Sequence, residues 1–351
     1  SHTYDNSVFL PIIDRVMIFG GAAFNTGGPY ARMNADGVTY RNTGPYLFDP
    51  AKADPNKVGG TTGSHVKRVA PHPEIVGGNM WTNRDYRAYT FTGSTLIPNS
   101  HINGVTAYAQ ENGKDVVYFG ARPGQGTDQH LFKYTISSLT DVTQDKLEKV
   151  GRFWNGPSDQ GAGTYDPTRK LFVRTGPATQ PITYWDLNNA SPSNNDVVTV
   201  PVDASGTFDF NQMRMTGIDY DPTTDQYLIW YGGPDVWRLT PPTPVTSTGW
   251  KLDKVSKTSS AAPTIDADSR GILGKWKFIP NLNAFLGLQD HAPVLLRQAF
   301  PHCGAGHAHR AQIEPDTGGA VAAAQAGDQR TFEHPARQRR RRHTLQHQIV
   351  G

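Results

Sequence analysis

The chain has 351 residues, 34 of them Lys or Arg and 31 Asp or Glu, with a formal net charge of +3 and a single Cys. A chain this long can bury a sizeable core, and one Cys excludes an intrachain disulfide framework. No apolar run is long enough to cross a bilayer as a helix, so no membrane partner is expected.

In chain order the predicted elements are hairpins. The first joins Val8-Phe9-Leu10-Pro11, through a turn at residues 12–14, to residues 15–21, which end in Gly20-Gly21. Residues 22–44 carry no sustained apolar period and read as a long loop before the third run, Tyr46-Leu47-Phe48. Residues 51–85, with two glycine pairs and Pro71 and Pro73, read as a second excursion; a degenerate unit within this interval is the alternative. Trp81, Arg84, Asp85 and Arg87 form a polar-aromatic cluster near its end, and an Arg–Asp pair between neighbouring units is the preferred reading of that cluster.

The second hairpin joins residues 105–109 to residues 115–121 across Glu111-Asn112-Gly113-Lys114, with further runs at 131–134 and 147–150. The third reads Gly163-Thr164-Tyr165-Asp166-Pro167 and then residues 170–176, with further runs at 183–187 and 197–200. The fourth repeats that wording as Gly217-Ile218-Asp219-Tyr220-Asp221-Pro222 and residues 226–233, with runs at 236–239 and 250–255. The fifth joins residues 275–280 to residues 284–287 and stops there.

From Pro167 to Pro222 is 55 residues and from Gly176 to Gly233 is 57, a fixed period that marks a repeat architecture. Aromatic and β-branched runs split by Pro, Asn, Asp or Gly predict strands and turns. The second runs are nearly all apolar, as in a strand buried on both faces, while the fourth runs alternate with polar residues, as in an outer strand with one wet face. The predicted fold is therefore all-β, a propeller of about five four-stranded blades with the last one incomplete. The expected blade limits are 1–98, 99–155, 156–208, 209–265 and 266–289. The chain opens at the lip of a strand, so upstream blades are expected outside this sequence.

A glycine pair ending the second strand, with aromatics downstream, resembles the kelch repeat and the wider galactose-oxidase-like propellers. Gly20-Gly21 and Gly232-Gly233 keep the pair, the latter followed by Trp237; Gly120-Ala121, Thr175-Gly176 and the lone Gly287 depart from it. The resemblance covers residues 1–289. It implies copper held by two Tyr and two His, with one Tyr cross-linked to a Cys. Residues 1–289 contain no Cys, and His2, His65, His72, His101 and His130 match no such motif, so no cofactor is expected.

Residues 290–351 differ in kind. Residues 291–351 hold no Tyr, Trp or Lys, but seven of the 12 His, the single Cys303 and eight Arg against four acids. Without them the chain keeps 26 of its 34 basic and 27 of its 31 acidic residues, so the basic character belongs to this tail alone. A break of this kind inside a hairpin suggests a shifted reading frame and predicts a disordered tail. Arg339-Arg340-Arg341-Arg342 is read on that basis as a by-product rather than a nucleic-acid patch, and no nucleic-acid partner is expected.

Neither a nucleophile elbow nor a phosphate loop is present. A propeller takes ligands through the loops leading into its innermost strands and those joining strands two and three. The candidate ligand-binding residues in these loops are Trp154, Asn155, Asp159, Arg122, Arg214, Asp235 and His2. Aromatic rings beside Asn, Asp and Arg suit a sugar, which stacks its apolar face and hydrogen-bonds through its hydroxyls. The structural alternative is that Trp154 plugs a space between blades and that His2 satisfies a neighbour's backbone. The expected function is a module that binds a glycan or a protein; the alternative is an oxidoreductase acting on a carbohydrate or alcohol. Abundant Gly, Asn and Thr point to a secreted or periplasmic location.

Overall fold

The computed structural model describes residues 4–19, 31–33, 40–42, 45–52, 81–84, 104–121, 130–152, 160–190, 198–199, 202–204, 207–255, 271–289, 292–297 and 348–350. These residues are mostly strands in several small sheets, an all-β arrangement compatible with a β-propeller.

The first sheet contains β1 (Ser7–Leu10) and β2 (Arg15–Ile18). A separate two-stranded ribbon, β3 (Ala31–Met33) with β4 (Tyr40–Asn42), occupies part of the interval expected to be loop. The first sheet then continues with β5 (Tyr46–Phe48) and β6 (Trp81–Asn83), in the order β1-β2-β5-β6. Its outer strand thus comes from the end of the expected excursion.

The second sheet runs β7 (Thr106–Glu111), β8 (Lys114–Ala121), β9 (His130–Thr135) and β10 (Lys146–Arg152). The third runs β11 (Gly163–Asp166), β12 (Leu171–Thr175), β13 (Ile182–Asp186) and β14 (Val198–Thr199). The next strand, β15 (Val202–Ala204), crosses to the fourth sheet. There it lies parallel to β19 (Trp250–Lys254), outside β16 (Gly217–Asp221), β17 (Gln226–Trp230) and β18 (Val236–Thr240).

The fifth sheet corrects one expectation. Beyond β20 (Trp276–Ile279) and β21 (Ala284–Gln289) it adds β22 (Ala292–Arg297), antiparallel to β21, and β23 (Gln348–Val350), parallel to β22. Both lie in the segment expected to be disordered, so the last unit has four strands rather than two. The free edge of β21 carries unpaired N–H and C=O groups, and the apolar Ala292–Arg297 stretch can satisfy them. The rest of the tail lies outside the described residues.

Four apolar clusters fill the spaces between consecutive sheets. Leu10, Met17 and Leu47 meet Val117, Phe119 and Phe132 between the first two sheets. Val116, Tyr118 and Leu131, on the other face of the second sheet, meet Phe172 and Trp185. Leu171, Val173 and Tyr184 meet Ile218, Tyr227, Ile229 and Trp250. Leu228 and Trp230 meet Trp276 and Phe285. Successive residues of β8, β12 and β17 therefore enter different clusters, which is why residues 116–119, 171–173 and 227–230 of these strands are unbroken apolar runs. Inner strands β1, β7, β11, β16 and β20 touch in that order. Packing is tight enough that a Cβ on Gly287 would lie 2.4 Å from the Trp230 ring.

The hairpin turns follow the predicted chemistry. Asp166 Oδ1 accepts from the backbone N–H groups of Thr168 (2.8 Å) and Arg169 (3.0 Å), and Asp221 Oδ1 from that of Thr223 (2.9 Å). Each of the five turns holds a non-glycine residue at positive φ: Asp14, Asn112, Lys170, Asp225 and Asn283. Asp and Asn tolerate this region through local hydrogen bonds, while Lys does not.

Candidate functional site

Each sheet's first strand is entered at the end opposite its hairpin turn. In the fourth sheet this end is built by a 3-10 turn, Phe210–Met215. Asp209 caps it by accepting from the Asn211 backbone N–H at 3.0 Å, and buried Met213 anchors it. Thr216 closes it through its backbone N–H and hydroxyl, both donated to the Met213 carbonyl. The turn holds Phe210 in edge-to-face contact with buried Phe208 (ring centroids 5.3 Å apart). Phe208 also meets Trp237 (5.0 Å) and Tyr231 (6.1 Å), edge-on in both cases.

Phe210 and Tyr231 are each half-buried, so part of each ring faces outward. Just beyond Tyr231 the chain reverses through Gly232 and Gly233, whose φ values of 92° and 74° admit glycine readily and other residues only with strain. This reversal places Asp235 where it pairs with Lys254 at 2.7 Å. Desolvation raises the pKa of the Tyr231 phenol; Asp235 adds to the rise, Lys254 opposes it, and Asp209 adds a little more. One aromatic surface thus has two carboxylates and an ammonium group around it.

Two of the candidate residues read from the sequence lie at this end of the fourth sheet. Arg214 is exposed on the turn that leads into β16, and Asp235 sits in the turn between β17 and β18. The pairing Gly217↔Trp230 and Trp230↔Val236 puts both at the same end of the sheet. Trp154, Asn155, Asp159, Arg122 and His2 lie outside the described residues. Phe208, Phe210 and Tyr231 were not among the candidates; the Phe-Asp-Phe run before a predicted inner strand was the available signal.

A second polar centre lies where the inner strands converge. Asp5, fully buried just before β1, accepts through Oδ2 from the backbone N–H of Thr106 (2.9 Å) and of Gly163 (2.7 Å). Its backbone carbonyl accepts from the Thr106 hydroxyl at 2.8 Å. Lys277 Nζ stands 4.0 Å from Oδ1, which has no hydrogen-bond partner. Burial raises the Asp5 pKa to about 7, against the opposing pull of Lys277 and the two backbone donors. Nearby Asp219 ties the third, fourth and fifth sheets together, accepting from Thr164 Oγ1 (2.7 Å) and the Phe278 N–H (2.8 Å).

At the outer joint of the first two sheets, the preferred reading of Arg84 holds in kind, with a different partner. Its guanidinium pairs with Asp145, and its remaining N–H groups donate to the Ser138 and Leu139 carbonyls. Among the described residues no group of three or more His, Cys, Asp or Glu stands close enough to hold a metal ion. In comparisons with protein-family models and with curated proteins, the sequence matches none.

Proposed function

We propose that this chain is a kelch-type β-propeller of the galactose-oxidase-like class, with five blades, that works as a binding module. Its loop-rich face takes a glycan or a protein ligand, in a secreted or periplasmic setting. The observation that carries this reading is the surface formed by Phe210 and Tyr231 with Asp209, Asp235 and Lys254 around it, at the end of the sheet that also carries Arg214. Half-buried rings held edge-on by buried Phe208, itself packed against Trp237, form a rigid platform. A pyranose ring can stack its C–H face on such a platform while its hydroxyls donate to the carboxylates and accept from the cations. Rigidity favours binding because little side-chain freedom is lost when the ligand arrives.

A glycan array probed with the full chain and with Tyr231→Ala tests the reading. Retention of a defined subset of sugars, weakened roughly tenfold or more by the substitution, is expected for the loss of one stacking partner. Equal retention by both proteins overturns the Tyr231 site, and retention by neither overturns the glycan reading and leaves a protein ligand. A protein ligand should still lose affinity with Tyr231→Ala.

A further inference from the structure

Asp5 joins more of the molecule than any element near it. Its side chain and backbone hold Thr106 of the second sheet and Gly163 of the third, and it faces Lys277 of the fifth. The turn Leu273–Lys275 presses on it as well: a Cβ on Gly274 would lie 2.7 Å from Asp5 Oδ1 and 3.0 Å from the Tyr4 carbonyl. The four apolar clusters lie between the other neighbouring sheets, and Phe9 and Leu288, on the first and fifth sheets, are exposed. Among the described residues no apolar cluster spans the first and fifth sheets, and they meet at Asp5 through Gly274 and Lys277.

The Asp5 carboxyl group is poorly served as an anion. Oδ2 accepts two backbone donors, but Oδ1 has none, and Lys277 is too distant for a direct hydrogen bond. The other charged group acting on it is Asp219 on β16, which opposes ionisation. From β7 and β11 it meets only Thr106 and Gly163, neither of which titrates. A buried carboxylate with a bare oxygen is costly, and taking up a proton removes that cost.

We propose that Asp5 is a proton-operated lock: protonated, it holds the first sheet against the second, third and fifth, and on ionising it loosens that joint. The direction follows from linkage. The folded chain holds this proton up to about pH 7, whereas the ordinary value is 3.8. Between those values the folded state binds a proton that the unfolded state has lost, so stability falls as pH rises. The folded-to-unfolded ratio should drop by roughly tenfold per pH unit from this group alone.

The test follows the Thr106 and Gly163 backbone amides of the full chain by NMR across this range, with thermal midpoints measured in parallel. Both amide signals should shift together with one midpoint near neutrality, and the thermal midpoint should fall through the same window. Asp5→Asn, which can keep an acceptor for both amides, should abolish both effects. Lys277→Met removes the facing cation and should move the midpoint upward; this arm stands even if Asp5→Asn fails to fold. Amides that titrate only in the ordinary carboxylate range or not at all, or a midpoint unmoved or lowered by Lys277→Met, would overturn the lock.

Discussion

Asp145 and Asp5 are both completely buried, both bridge sheets distant in sequence and both face a cation, yet their surroundings differ at every oxygen. Asp145 Oδ1 accepts from the Ser137 N–H at 2.9 Å, and Oδ2 accepts from Arg84 and the Tyr134 hydroxyl. Burial works against the Arg84 charge, but Tyr134 and Asp145 outweigh it and its pKa rises. Asp5 has one saturated oxygen and one bare one, with its cation out of hydrogen-bonding reach. The difference teaches that a buried charge is structural when its partners are complete and responsive when they are not. The outer joint has both carboxylate oxygens partnered, whereas the inner one can gain or lose a proton.

The contrast breaks most severely with Arg84→Met. Asp145 then keeps Tyr134 and Ser137 but loses its counter-charge, and a loss of about 3–5 kcal/mol is expected for a stranded buried carboxylate. Urea unfolding at neutral pH measures it. A loss under 1 kcal/mol would mean that Asp145 is as adaptable as Asp5, and the contrast would vanish.

Tyr227→Phe makes a finer cut on the turn side. The phenol donates to Asp166 Oδ2 at 2.6 Å, which also accepts from Arg169 at 2.8 Å, so removing the hydroxyl leaves that oxygen partnered. A cost of about 1 kcal/mol is expected, visible as a small drop in the urea midpoint. A much larger loss would show that this network, too, depends on every member.

Lys170→Gly gives the smallest change and the opposite sign. Lys170 occupies φ 54°, where the other hairpins place Asp or Asn. Relief of the left-handed strain, partly offset by the greater freedom of an unfolded glycine, should stabilise the protein by a few tenths to about 1 kcal/mol in the same assay.

Much of the sheet structure was legible because it depends on local chemistry. Asp166 and Asp221 turn the chain by bonding their own backbone, and the unbroken apolar runs of β8, β12 and β17 announce burial on both faces. The outer strand β6 was hidden because Trp81–Asn83 has no alternation to distinguish it from the preceding excursion. Strands β22 and β23 were hidden by composition: the His- and Arg-rich tail masks a short apolar stretch that pairs only because β21 offers an edge. Of the candidate site, Arg214 and Asp235 were legible from loop position. Phe210 and Tyr231 were passed over because the contact of Phe208 with Tyr231, which brings the two rings to one surface, spans 23 residues and two elements.

Strand type, turn position and the repeat period were decided within windows of a few residues, where hydrogen-bonding groups and side-chain shape act on their own neighbours. Partner choice was decided only in three dimensions. Nothing near Asp5 in the chain marks it as special; its character comes from Thr106, Gly163 and Lys277, at separations of about 100 to 270 residues, and from the exclusion of water that their packing imposes. A side chain's solvation is set by whatever folds against it, so the same aspartate would be an ordinary surface acid in an isolated hairpin.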